Sequence, residues 1–233
     1  MFTSPLIQAS ERIEAKTLAY WIEGESSHMA TVSTEIDYPT SDGKPMGETK
    51  LLRRVIVESV AILDEYFRDD PNVAVEANLL MYSDEGNKFK VLVPGVYVIL
   101  GASNHDRRTY LVWEEGKVPD FILEITSNTT RRVDIYVKRR MYQDLKIPEY
   151  FLFDPLSEYL RPALQGFRLV GGRYVSIESV DGRLPSETIS LHPEPIKGRL
   201  GFFDPTTGAP LRTPHKEALH QVRLAQKPCQ IGS

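Results

Sequence analysis

An acidic residue inside an apolar strand constrains this chain more than any other feature. The run Val118-Pro119-Asp120-Phe121-Ile122-Leu123-Glu124-Ile125-Thr126-Ser127 reads as a buried strand with Glu124 near its middle. A carboxylate in that setting is costly unless it is paired, protonated or bound to a cation. A cationic helix follows at once, Arg131 to Lys146, and then a second apolar run, Tyr150-Phe151-Leu152-Phe153-Asp154-Pro155. Strand, helix and strand at this spacing predict a right-handed crossover between two parallel strands. A buried acid beside a basic helix suits metal-assisted chemistry on an anionic substrate.

The flanking segments extend this into an α/β (α+β mixed) chain. From Glu48 to about Arg68, Leu52, Val55, Ile56, Ser59, Ile62, Leu63 and Tyr66 recur at helical spacing. Asp69-Asp70-Pro71-Asn72 stops that helix. Strands are expected at Val73 to Tyr82, Val91 to Leu100 and Phe121 to Thr126, with Ser83 to Asn87 as a turn and Tyr110 to Trp113 pairing on an edge. Gly171-Gly172 between Gly166–Val170 and Arg173–Ile177 signals a hairpin. A short helix is expected from Ser10 to about Glu23, a loop at Tyr38 to Pro45, and a tail broken by prolines with one helix at Lys216 to Gln226.

The 233 residues carry a net charge of -4, so a nucleic-acid partner would have to be met by a local basic patch. The single cysteine, Cys229, excludes a disulfide framework and a cysteine-rich zinc site, and makes the cytoplasm the default compartment. No apolar run reaches the roughly 20 residues that span a bilayer. The five histidines form no cluster with ligand spacing, and no glycine-rich phosphate loop or nucleophile elbow is present, so no small-molecule cofactor is expected.

Asp120 and Glu124 resemble an acidic metal pair, but four residues along a strand span roughly 13 Å. Bonds of about 2.1 Å cannot bridge that gap. Asp120 therefore reads as a boundary residue after proline. Glu124 has two readings. One is a buried salt bridge to Lys138 or to an arginine of the next helix. The other is a magnesium ligand, with the main-chain carbonyl of Ile125 as a second. Lys138 likewise reads either as an i,i+4 partner of Asp134 or as a cation aimed at the scissile phosphate or attacking water. Arg131, Arg132, Arg139 and Arg140, with Lys138 and Lys146, make either a solvated face or a phosphate-tracking patch.

From Glu35 to Gly201 the chain resembles the Uma family of restriction endonucleases, within the PD-(D/E)XK nuclease superfamily. The likeness rests on Val118 to Ser127, on Asp134, Lys138 and Tyr142, and on Ile147-Pro148-Glu149-Tyr150-Phe151-Leu152-Phe153-Asp154-Pro155. It implies a restriction-endonuclease-like mixed β-sheet flanked by helices over residues 35–201, an extension at 1–34 and a tail at 202–233. It also implies magnesium-dependent cleavage of DNA phosphodiesters, with manganese as a substitute metal and a homodimer as the working unit. Glu124 matches the family's metal-binding glutamate. Lys138 matches its lysine, moved from the strand to the helix, while Thr126 takes the usual lysine place. Glu48 matches an acid at the start of the first helix.

Two positions depart from the pattern. The metal-binding aspartate expected after a proline on the preceding strand is Gly95, in Pro94-Gly95, and a histidine of the first helix is Leu52. Glu76 is a conceivable replacement acid. The rival reading is a catalytically inactive nuclease-fold protein that binds nucleic acid or a protein partner through residues 131–146.

Overall fold

A computed structural model describes residues 38–39 and 49–225. The expected helix at Ser10, the extension at 1–34, most of the loop at 38–45, and Glu48 and Cys229 lie outside the described residues.

Helix α1 (Lys50–Phe67) buries Leu52, Val55, Ile56, Ser59, Ile62 and Leu63 along one stripe. The Thr49 hydroxyl accepts from the Leu52 amide at 3.4 Å, a side-chain cap on an otherwise unpaired donor. Pro71 prevents the helix from continuing, and the Asp70 carboxylate accepts from the Asn72 amide at 3.0 Å in the turn that follows.

The main sheet holds six strands in the order β1 (Val73–Glu76), β4 (Val96–Leu100), β6 (Phe121–Ile125), β7 (Glu149–Phe153), β8 (Leu164–Val170) and β9 (Arg173–Ser176). The β6–β7 pair is parallel, as the crossover requires, and the other pairs are antiparallel. Its two faces carry separate cores. On one, Phe121, Leu123 and Ile125 pack with α1 and with Leu200 and Phe202 of the β10 (His192–Ile196) and β11 (Arg199–Phe203) hairpin. On the other, Ile122 and Leu152 pack with Tyr142, Tyr150 and Tyr174. Phe202 is fully buried, so β11 carries the domain past the expected boundary at 201.

Two expected strands are each divided. Val73–Tyr82 breaks after Glu76, and Val91–Leu100 breaks at Val93-Pro94-Gly95. Pro94 has no amide to give a ladder, and its carbonyl instead accepts from Asn78, which sits at φ 52°. The displaced pieces, β2 (Met81–Tyr82) and β3 (Val91–Leu92), form a small sheet with β5 (Tyr110–Leu111). Only Tyr110 and Leu111 of the expected edge pair there. Val112–Glu115 turn instead as a short helix, α2, ended by Gly116 at φ 68°.

The expected Arg131–Lys146 helix also differs in kind. Val133–Lys138 form a π-helix, which continues as α3 (Arg139–Asp144). Helix α4 (Pro214–Ala225) begins on Pro214, after Pro205 and Pro210. Among the described residues no helix is long and apolar enough to cross a membrane.

One buried acid is purely architectural. Glu149, at the start of β7, is wholly inaccessible. It accepts from Arg168 Nε at 2.9 Å, the Glu187 amide at 3.0 Å, Thr188 Oγ1 at 2.8 Å and the Ser186 hydroxyl. These bonds tie the 186–188 turn to the sheet.

Candidate active site

Strand alternation decides which side of the sheet the acid faces. With Phe121, Leu123 and Ile125 committed to the α1 core, Glu124 projects toward the π-helix and is 4% exposed. Its Oε1 accepts from Lys138 Nζ at 2.8 Å and from the Tyr142 hydroxyl at 2.7 Å. Its Oε2 accepts from the Gly95 amide at 3.3 Å. Lys138 Nζ also donates to the Val93 carbonyl at 3.0 Å and lies 3.4 Å from Asp134 Oδ1.

Asp134 is 1% exposed. Its Oδ2 accepts from Thr126 Oγ1 at 2.8 Å, and its main-chain carbonyl accepts from the Tyr150 hydroxyl at 2.8 Å. Its Oδ1 makes no hydrogen bond; the nearby ammonium is close enough for attraction but not aligned for a bond. Ser127 and Thr130 start the helix by exchanging side-chain and amide hydrogen bonds, the reciprocal pattern of a capping box. Residues 134, 138 and 142 then face the sheet in succession.

The electrostatics follow from burial. Desolvation pushes the Glu124 carboxyl up, and the Lys138 charge pulls against it. Burial works to lower the Lys138 pKa, but Glu124 and Asp134 together outweigh it and hold the ammonium charged. Burial also raises the phenols of Tyr97, Tyr110, Tyr142, Tyr150 and Tyr174 above the ordinary value of 10. A phenol that ionises less readily when folded contributes stability that is complete below the unfolded pKa and is lost as pH rises through the folded one. The protein is therefore expected to unfold cooperatively above about pH 10. Exposed tyrosines such as Tyr136 should titrate first; the remaining tyrosinate absorbance and far-ultraviolet circular dichroism should then change together, and complete tyrosine titration with the fold retained would refute this.

The structure brings Glu124, Lys138 and position 95 into one pocket. A Cβ built on Gly95 would lie 3.5 Å from Glu124 Oε2 and 3.5 Å from the Ile125 amide. The Ile125 amide and carbonyl leave the strand on one edge, so that carbonyl also faces the position 95 side. Asp120 stands apart: it accepts from the Leu100 amide at 2.8 Å and pairs with Lys117 at 3.0 Å. Glu76 is not a replacement acid. It lies opposite Tyr97 rather than Gly95 and binds Arg107 at 3.1 Å. Leu52 is a core residue.

The four arginines do not form one cluster. Arg139 stacks on the Phe167 ring at 3.9 Å, and Arg131 lies over Tyr159 at 5.2 Å. Arg140 is 3.9 Å from Asp144 on the surface, and Arg132 is exposed. Exposed Val133, Tyr136 and Val137 share the helix with these last two. Residue spacing did not reveal the open oxygen of Asp134, because an acid four before a lysine reads as an ordinary pair.

The donor set admits a divalent cation. Asp134 Oδ1 is buried without a hydrogen bond, and Glu124 Oε2 has one long contact, to the Gly95 amide. Two carboxylates against one ammonium leave a buried net negative charge. Among the described residues no group of three or more His, Cys, Asp or Glu side chains is gathered for a metal, so waters would have to complete the shell.

A mixed sheet bearing a buried glutamate on a central strand, met by a lysine from the crossover helix, defines the restriction-endonuclease-like class. The family model Uma2, described as "Putative restriction endonuclease", matches residues 31–195, and the chain belongs to that family. One similar solved structure is a "putative nuclease belonging to DUF820" from Anabaena variabilis ATCC 29413. It is 14% identical, with a TM-score of 0.47 over 63% of this chain and 76% of that one. No curated protein matches the chain.

Proposed function

We propose that this protein is a magnesium-dependent DNA endonuclease that hydrolyses phosphodiester bonds. The observation that carries the reading is the buried Glu124–Lys138 pair at 2.8 Å beside Gly95. Glu124 and the Ile125 carbonyl would hold the cation, which when bound polarises phosphate oxygens and makes a bound water acidic. Lys138 then supplies a fixed positive charge for the charge that develops on phosphate in the transition state. Tyr142 holds the Glu124 carboxylate in one orientation, and the Val93 carbonyl does the same for the ammonium. Glu48, matched by the resemblance to an acid of the first helix, is proposed as a further catalytic residue. A homodimer in the cytoplasm goes with this reading.

The test is cleavage of supercoiled and linear DNA with magnesium or manganese. The parent should cut and Glu124→Ala should not; equal activity in the two would end the proposal. Gly95, where a carboxylate is expected, favours a second reading: a fold that retains DNA binding without cleavage.

Both readings assign DNA contact to Arg131, Arg132, Arg139 and Arg140. The stacking of Arg139 on Phe167 makes Arg132 and Arg140 the cleaner probes. Replacing these two with alanine is expected to weaken DNA binding and lower the slope of log affinity against log salt by about 2, with the melting temperature unchanged. An unchanged slope in fluorescence-anisotropy titrations would remove the basic helix from the interface.

A further inference from the structure

We propose that Asp134 supplies the second carboxylate of the divalent-cation site, in place of the acid that position 95 lacks. This rests on the nuclease reading and names a ligand within it. Asp134 reaches the site from the π-helix rather than from the neighbouring strand. Three observations converge on it.

The side chain is 1% exposed, yet Oδ1 has no hydrogen-bond partner. Its one charged neighbour, the Lys138 ammonium at 3.4 Å, is shared with Glu124 at 2.8 Å, so this oxygen is incompletely satisfied and a ligand is one way to complete it. The open oxygen is aimed into the Glu124 pocket. Asp134 Oδ1 lies 3.4 Å from Lys138 Nζ, and Glu124 Oε1 lies 2.8 Å from the same atom. Both acids therefore converge on one cation-bearing point. The other Asp134 oxygen is fixed by the Thr126 hydroxyl at 2.8 Å, which sets the carboxylate plane. Thr126 thus acts as a positioning residue where related enzymes carry lysine.

The charge is also unbalanced. Lys138 is the cation that acts on Glu124, and it is shared with Asp134. A divalent cation turns the cluster's net charge from negative to positive, a balance completed by a phosphate. Without it, two buried acids divide one ammonium.

The rival account is that Asp134 only holds Lys138, its partner four residues on. Removing the lysine separates the two. Manganese binding is measured by electron paramagnetic resonance on the full chain for the parent, Glu124→Gln, Asp134→Asn, Lys138→Met and Lys138→Met/Asp134→Asn. Asp134→Asn is expected to weaken manganese binding at least tenfold. Lys138→Met should bind more tightly than the parent, because a competing cation is gone. The double variant should fall at least tenfold below Lys138→Met.

If the double variant binds as Lys138→Met does, Asp134 is no ligand; the inference fails and the nuclease reading survives through Glu124. If Glu124→Gln also binds as the parent does, both fall. Should the asparagine variants not fold, Asp134→Glu keeps the charge with a longer reach. It is expected to change the manganese spectrum, and an identical spectrum would overturn the assignment.

Discussion

Glu149→Ala is expected to destabilise the protein by about 3–5 kcal/mol, the usual cost of removing one partner from a buried charged pair. The loss is large because four donors lose an acceptor together. Arg168 loses the partner of its Nε and keeps only the Pro185 carbonyl and Glu187, the Glu187 amide loses its acceptor, and the hydroxyls of Ser186 and Thr188 lose theirs. For a chain of this size the melting temperature should fall by roughly 10 °C. Glu149→Gln retains an acceptor and should cost less than half as much. Chemical denaturation of the three proteins checks both values, and an alanine variant within 1 kcal/mol of the parent (about a third of the smallest loss expected) would show that the turn repacks. Residue 149 pairs with Phe121, while Glu124 pairs with Leu152, so the two acids sit at different levels of the sheet. Any activity should therefore persist in Glu149→Gln at temperatures where it stays folded.

Gly95→Asp is expected to move stability and metal affinity in opposite directions. The new Cβ would lie 3.0 Å from the Leu123 carbonyl oxygen, tight enough that backbone must give. The new carboxylate would also stand beside Glu124 in a buried pocket, where two like charges resist joint ionisation. Together these should cost the metal-free protein about 1–3 kcal/mol. The same closeness makes the variant a better cation site. An added carboxylate should tighten manganese binding at least about tenfold, equivalent to about 1.4 kcal/mol. Manganese should then raise the variant's melting temperature more than the parent's, since a ligand at free concentration L stabilises the folded state by RT ln(1 + L/Kd). Cleavage should rise with it. Equal metal-induced shifts in parent and variant would mean that residue 95 does not share the Glu124 pocket.

The sequence made the β6–helix–β7 crossover legible because each segment kept one period long enough to be read. The Gly171-Gly172 hairpin was legible because its turn chemistry is local. The breaks after Glu76 and at Pro94 were not. Each lies within an apolar run, and the pairing that divides them joins Asn78 to Pro94 across separate strands. Glu149 was hidden for a related reason. Beside Pro148 it resembles an ordinary strand-entry residue, and its burial is set by Arg168 and by the turn at 186–188. In the site, the meeting of Glu124 with Lys138 was expected from the resemblance and from the need of a buried carboxylate for a cationic partner. The open Asp134 oxygen was not, because it depends on how Thr126 and Lys138 meet that side chain in space.

That wide turn at Val133–Lys138 makes the pocket sensitive to chain length as well as to residue type. Dropping a single residue there would let ordinary α-helical bonds close. Everything before the turn would then rotate by about 100° against α3. Tyr142, beyond the turn, could stay on Glu124, whereas Asp134 would swing away from Thr126. Substitutions can drift through this segment one side chain at a time, but an insertion or deletion would uncouple the two halves of the pocket at once.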